Sequence, residues 1–222
     1  DWMRDNLYQI GNLPLGTGPF SDFLVIYALN PLRTFFEDWL PWPVFIIGLA
    51  VLGYVLDGWR LATFNAVGMF FVGLFGMWAY SMDTLSQVIV AVIVTILIAI
   101  PLGILAARSD TFEAALRPIL DLLQTIPPFV YLVPVIMLFN IGRVPGIIAS
   151  VAYALPPGIR LTNLGIRQVS PEAREASTAF GASVTQTLRK VQLPLALAAI
   201  ILGLNQVVML VLAMVIIAGL VG

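Results

Sequence analysis

Cysteine and histidine are both absent from the chain, and charged residues make up only 10% of it. The first two absences exclude disulfides, thiol nucleophiles, imidazole bases and the usual zinc or haem ligands, leaving carboxylates alone for acid–base work. No metal site and no cofactor is expected on this polypeptide, and an enzyme reading starts weak. The scarcity of charge excludes an ordinary soluble domain, in which about a quarter of residues are charged. A formal net charge of −1 offers no basic surface, so no nucleic-acid partner is expected. The single lysine, Lys190, follows an arginine and not a glycine, so the Gly-x4-Gly-Lys-Ser/Thr loop that cradles nucleotide phosphates is missing. What is abundant is apolar: 60% of the residues. The sequence reads as an all-α, polytopic membrane protein, multi-pass in a lipid bilayer.

Residues 1–40 are mixed and not membrane-like. A Gly/Pro-rich opening leads into a segment in which Asp22, Asn30, Pro31, Arg33, Glu37 and Asp38 interrupt apolar groups. With Phe35, Phe36, Trp39 and Trp42 available for a membrane interface, this segment reads as one or two extracytoplasmic or interfacial helices. Residues 41–222 then read as one membrane domain with six spans, near 41–56, 61–80, 85–107, 119–140, 144–169 and 192–220. Ser81-Met82-Asp83 is taken as the turn between the second and third. Alternation of sides puts eight Arg and Lys residues on the face that carries the 170–190 interval, against only Arg143 in the two opposite turns. Positive charge collects on the cytoplasmic side, so that interval is predicted to be cytoplasmic and the amino terminus outside.

The 170–190 interval is the long polar stretch of the second half. Ser170 can cap a helix, Pro171 suits its first position, and Glu172 and Glu175 lie near the positive end of its dipole. Gly181 suits a left-handed helix end, and Ser183 with Gln186 has capping-box spacing for a second short helix. The predicted object is a punctuated surface knuckle, with Pro194 marking re-entry into the apolar run.

Glu175-Ala176-Ser177, three residues, Gly181, nine residues, then Val191-Gln192-Leu193-Pro194 resembles the cytoplasmic signature loop of permease subunits of ABC importers. Ser177 stands where that loop has a second alanine, and Val191 where it has isoleucine. The runs Arg117 to Asp121, Gln124 to Pro134, Ile141 to Gly146 and Ala154 to Thr162, with Asn205-Gln206, are similar to the permeases of glycine betaine/proline betaine importers and their choline or carnitine relatives. This similarity covers about residues 85–222; residues 1–80 match in layout only.

The resemblance implies a type I ABC importer permease-like bundle in a prokaryotic cytoplasmic membrane, with a coupling helix formed by Glu172, Glu175, Ala176, Ser177, Phe180 and Gly181. It further implies two copies of a separate ATPase subunit carrying ATP and Mg, a second permease chain as a homodimer, an extracytoplasmic substrate-binding protein, and one more span beyond the Gly-rich run at the end of the sequence. A polar route should show amides and broken helices at mid-depth. Asn205 and Gln206 lie about 18 Å along a helix from Leu193, and Pro127-Pro128 about 15 Å from Arg117. Phe129 and Tyr131 are therefore expected near Asn205 and Gln206, where aromatic faces could attract a quaternary ammonium. Asp121 is expected to be accommodated by Arg117, four residues away, or by headgroup water. The alternative to an ATP-driven importer is a secondary transporter or channel for a small osmolyte.

Overall fold

The computed structural model describes residues 16–221, and the expectations for residues 1–15 lie outside them. Nine helices account for most of the described chain. They are α1 (Thr17–Trp39), α2 (Trp42–Asp57), α3 (Trp59–Leu74), α4 (Trp78–Arg108), α5 (Asp110–Thr125), α6 (Pro128–Phe139), α7 (Arg143–Arg167), α8 (Pro171–Ala179) and α9 (Val184–Gly219). The chain divides into two compact units after Val90, with α4 running through the division.

In the first unit, α1 contains two π-helical turns, Val25–Leu29 and Phe35–Trp39, and meets α2 at 100°. Arg33 bonds Glu37 at 2.8 Å and lies 3.9 Å from Asp83, fastening α1 to the start of α4. Helices α2 and α3 form a hairpin about Gly58, whose φ of 79° suits a residue without a Cβ. Asn65 of α3 donates to the Leu49 carbonyl at 3.2 Å, and Phe45 meets Trp78 edge to face.

The second and third spans differ from expectation. Helix α3 ends at Leu74, and the turn falls at 75–77, where Gly76 has a φ of 70°. Ser81, Met82 and Asp83 lie inside α4. Their polarity is absorbed in the helix: Ser86 donates to the Asp83 carbonyl at 2.7 Å, and Gln87 donates to the Asp83 carboxylate at 3.0 Å. The fourth span is broken at the twin prolines, as expected: α5 and α6 meet at 99° around Ile126-Pro127. Among the described residues three helices, α4, α7 and α9, are long and apolar enough to cross a membrane, or five spans if each bent pair is one; six separate spans were expected. At sixteen residues, α3 reaches only about 24 Å.

The second unit is built round α7, which packs against α9, α6 and α5. Small residues let these helices close on one another. A Cβ on Gly158 would come within 2.9 Å of Ala99 and 3.0 Å of Val207; one on Gly103 would come within 2.5 Å of Thr162. On α9 the residues Ala196, Ile200, Gly203, Val207, Val211 and Met214 recur at helical spacing and are buried. This is how membrane helices associate where hydrocarbon gives no hydrophobic drive: by close backbone approach. Helix α7 passes unbroken through Pro156-Pro157.

Gly103→Ala is expected to destabilise the detergent-solubilised protein by about 1–3 kcal/mol through overpacking against Thr162. Gly48→Ala, with no neighbour within 4 Å, should be neutral or slightly stabilising. Equal melting temperatures for the two variants would refute the close-packing account.

Candidate functional site

The knuckle forms as the sequence implies. Ser170 Oγ accepts from the Ala173 N–H at 3.3 Å, Pro171 opens α8, and Glu172 occupies its first turn. At the far end the Gly181 N–H reaches Thr178 O at 2.9 Å and the Ala182 N–H reaches Ser177 O at 3.1 Å. With Gly181 at φ 80°, this is a Schellman ending, which satisfies carbonyls that α8 would otherwise leave open. Ser183 and Gln186 then make both bonds of a capping box.

Helix α8 is two-faced. Glu172, Glu175 and Ala176 lie on its exposed side, while Ala173 packs on the buried cluster of Ile166, Val169, Leu188, Ala196 and Ile200. Ser177, the departure from the signature, shares a hydrogen bond of 3.0 Å with the buried hydroxyl of Thr187, so it ties the two arms of the knuckle together. Phe180 stands at the tip, 92% exposed, beside an open concavity of about 500 Å³ lined in part by Ala176, Ser177, Gly181 and Lys190. An apolar ring this exposed on a polar, rigid support is suited to burial by another surface.

Pro194 does not restart the chain. Helix α9 runs continuously from Val184, with a π-helical turn at Leu188–Gln192 just before the proline. Proline lacks the N–H for an intrahelical bond and its ring crowds the carbonyl four residues back, so widening this turn keeps the helix intact.

The residues assigned to a polar route are only partly brought together. Helices α6 and α9 do touch, but buried Tyr131 belongs to a cluster whose buried α9 member is Met214, about two and a half turns beyond Asn205. Tyr131 packs edge to face on Tyr153, with ring centres 5.8 Å apart, and its hydroxyl donates to the Leu123 carbonyl. In a regular helix that carbonyl would accept from the N–H of residue 127, which is proline and has none. Tyr131 is thus committed to holding the α5–α6 bend. Phe129, two residues earlier, is 56% exposed. Asn205 and Gln206 are exposed on α9, away from the face buried against α7.

Asp121 does not pair with Arg117; its carboxylate bonds Arg160 of α7. Sequence reasoning also passed over Arg167, counted only as one more basic residue. Its Nε donates to Asn163 Oδ1 at 2.9 Å and its Nη2 to the Ala106 carbonyl at 2.8 Å. Nη1 lies 2.7 Å from Asp110, and Nη2 lies 3.1 Å from Glu113. The available signal was the short acidic segment Asp110 to Glu113 at a helix start, which needs a cation only if another helix brings one.

With this geometry in view, the family described as binding-protein-dependent transport system inner membrane component matches residues 99–222, more than half of the chain. The chain belongs to that family. It is 47% identical over 197 residues to the glycine betaine/proline betaine transport system permease protein ProW of Escherichia coli K12, covering 89% of this chain and 55% of ProW. It is 45% identical over 183 residues to the glycine betaine transport system permease protein OpuAB of Bacillus subtilis 168, covering 82% of this chain and 65% of OpuAB. It is 41% identical over 183 residues to the trimethylamine N-oxide transport system permease protein TmoV of Ruegeria pomeroyi, covering 82% of this chain and 28% of TmoV. An alignment of 197 residues necessarily begins well before Leu85, so similarity reaches further towards the amino terminus than the motifs alone suggest. The chain spans roughly a quarter to two thirds of the length of these relatives. It is a helical inner-membrane component, and α8 with its Schellman ending falls within the family's matched region.

Tyr131→Phe should cost about 1–3 kcal/mol of stability, because the Leu123 carbonyl loses its donor. A melting temperature of the detergent-solubilised protein equal to that of the unsubstituted chain would refute this role.

Proposed function

We propose that this chain is the transmembrane subunit of an ATP-driven importer that carries glycine betaine or a related quaternary-ammonium compatible solute across the cytoplasmic membrane. In this reading residues 41–222 form the permease domain, and residues 1–40 an extracytoplasmic or interfacial lead-in. Two copies of a separate ATPase, with their ATP and Mg, bind the cytoplasmic knuckles of a permease pair; an extracytoplasmic binding protein delivers cargo to the outer turns.

The observation that carries the reading is the knuckle itself: a capped, rigid projection with Phe180 at its tip and Glu172, Glu175 and Ala176 along its outward side. It is joined through the continuous helix α9 to Asn205 and Gln206. Bound nucleotide would draw the two knuckles together, and α7 and α9 would carry that displacement into the bilayer as rigid rods. The cargo class is favoured by the relatives, whose named substrates all carry a methylated nitrogen.

Asn205 supports a route between two copies of the chain. It projects away from this chain's own packing, and an amide facing lipid would be costly. A facing copy with water between would satisfy it. Phe129 would add an aromatic face that attracts a cationic methylammonium group in passing.

The reading is tested with the chain, its ATPase and its binding protein reconstituted in proteoliposomes. Uptake of radiolabelled glycine betaine should require ATP on the knuckle side. Phe180→Asp should weaken co-purification of the ATPase about tenfold or more, since a buried phenylalanine contributes about 1.5–3 kcal/mol. Equal uptake without ATP would favour a secondary transporter or channel instead.

A further inference from the structure

We propose that Arg167 is the positioning residue that hands movement of the knuckle to the bent α5–α6 pair. The proposal rests on the function argued above and adds to it a specific side chain that neither touches cargo nor faces the ATPase.

The placement comes first. Arg167 is the last residue of α7, three positions before Ser170, which caps α8. Its bond to Asn163 holds the guanidinium against its own helix. From there the same fork reaches the Ala106 carbonyl in the last turn of α4 and the carboxylates of Asp110 and Glu113 in the first turn of α5. One side chain therefore gathers three helix ends. The electrostatics agree, since a cation is favoured at the carboxyl end of α4 and acids at the amino end of α5. Asp110 is 90% exposed and its pair contributes little in water. Glu113 and Arg167, each about one-third exposed, with the two neutral acceptors, hold the joint.

Helix α5 is then fastened to α7 at two separated points. One is Arg167; the other is Arg160, which holds Asp121 near the α5–α6 bend, with Leu120 packed on Ala99 and Ile159 beside it. Between them lies a cavity of about 270 Å³, lined in part by Leu116, Arg117 and Leu164. Leu116, midway along α5, also packs on the cluster of Ala99, Leu120 and Ile159, so α5 is held as one piece and can tilt only as a unit, towards or away from this open cleft. Beyond the bend, Tyr131 locks α6 to the carbonyl end of α5, so a tilt of α5 carries Phe129 with it. The geometry suits arginine: its donors are spread over Nε, Nη1 and Nη2 and reach four separate acceptors, whereas the three N–H bonds of lysine radiate from a single nitrogen.

The experiment uses the reconstituted permease–ATPase complex with its binding protein and measures glycine betaine taken up per ATP hydrolysed, alongside ATPase co-purification and melting temperature. Arg167→Gln and Glu113→Gln should each lower uptake per ATP by about tenfold, with assembly and basal hydrolysis close to wild type. Unchanged uptake per ATP in Arg167→Gln would overturn the proposal. If Arg167→Gln fails to assemble, Arg167→Lys decides: reduced uptake per ATP at normal melting supports a positioning role, while wild-type coupling, or a second failure to assemble, overturns it. Absence of ATP-driven uptake in the unsubstituted complex would instead defeat the functional reading and is seen before any variant is made.

Discussion

The close approach of α7 to its neighbours is the interaction on which the rest depends. Gly158 lets Ala99 and Val207 meet the α7 backbone from two sides, and Gly165 does the same for α9, where an added Cβ would lie 2.7 Å from Ala199. Because almost no side chain intervenes, there is little that can shear. A displacement at the carboxyl end of α7 is therefore passed along its length and not absorbed in loose side chains. The twin prolines at 156–157 leave α7 continuous, and the tight neighbours on either side are the physical reason that a helix lacking two successive N–H groups stays whole.

Prolines do opposite things in two other places, and the difference lies in what surrounds them. At Pro127-Pro128 the missing donors fall between the amphipathic α5 and the apolar α6, and the chain turns by 99° with Tyr131 supplying the absent bond. At Pro194 the helix carries on, and a single widened turn precedes it. The first makes a corner that a tilting helix can carry as one piece. The second keeps the second arm of the knuckle and the membrane helix that follows it continuous from Val184 to Gly219.

The knuckle was legible residue by residue because its signals are local: caps, a left-handed glycine and a capping box each act within four positions. The helical membrane class was legible from composition. What was not legible is set by contacts distant in sequence. The polarity of Ser81-Met82-Asp83 reads as a turn until Asp83 is seen to have Gln87 on its own helix and Arg33 on another. The Asp121 partner lies 39 residues away on α7, where spacing along one helix points to Arg117. Tyr131 reads as a cargo aromatic because a carbonyl orphaned by a proline cannot be seen in a hydropathy pattern.

Arg167 belongs to the same class of unreadable residue, and it shows why position outweighs type here. Arg160, Arg167 and Arg174 follow one another at seven-residue intervals and all count equally towards membrane orientation. Arg160 meets one carboxylate at the bend, and Arg174 lies exposed on α8. Only Arg167 sits where a membrane helix ends, the knuckle begins and two other helix termini converge. In a bundle whose helices touch mainly through glycine, alanine and aliphatic side chains, a guanidinium fork with four acceptors is a polar joint between the end of α7 and the bent pair. The apolar contacts let the rods lie close together, and the fork determines which of them must move in step.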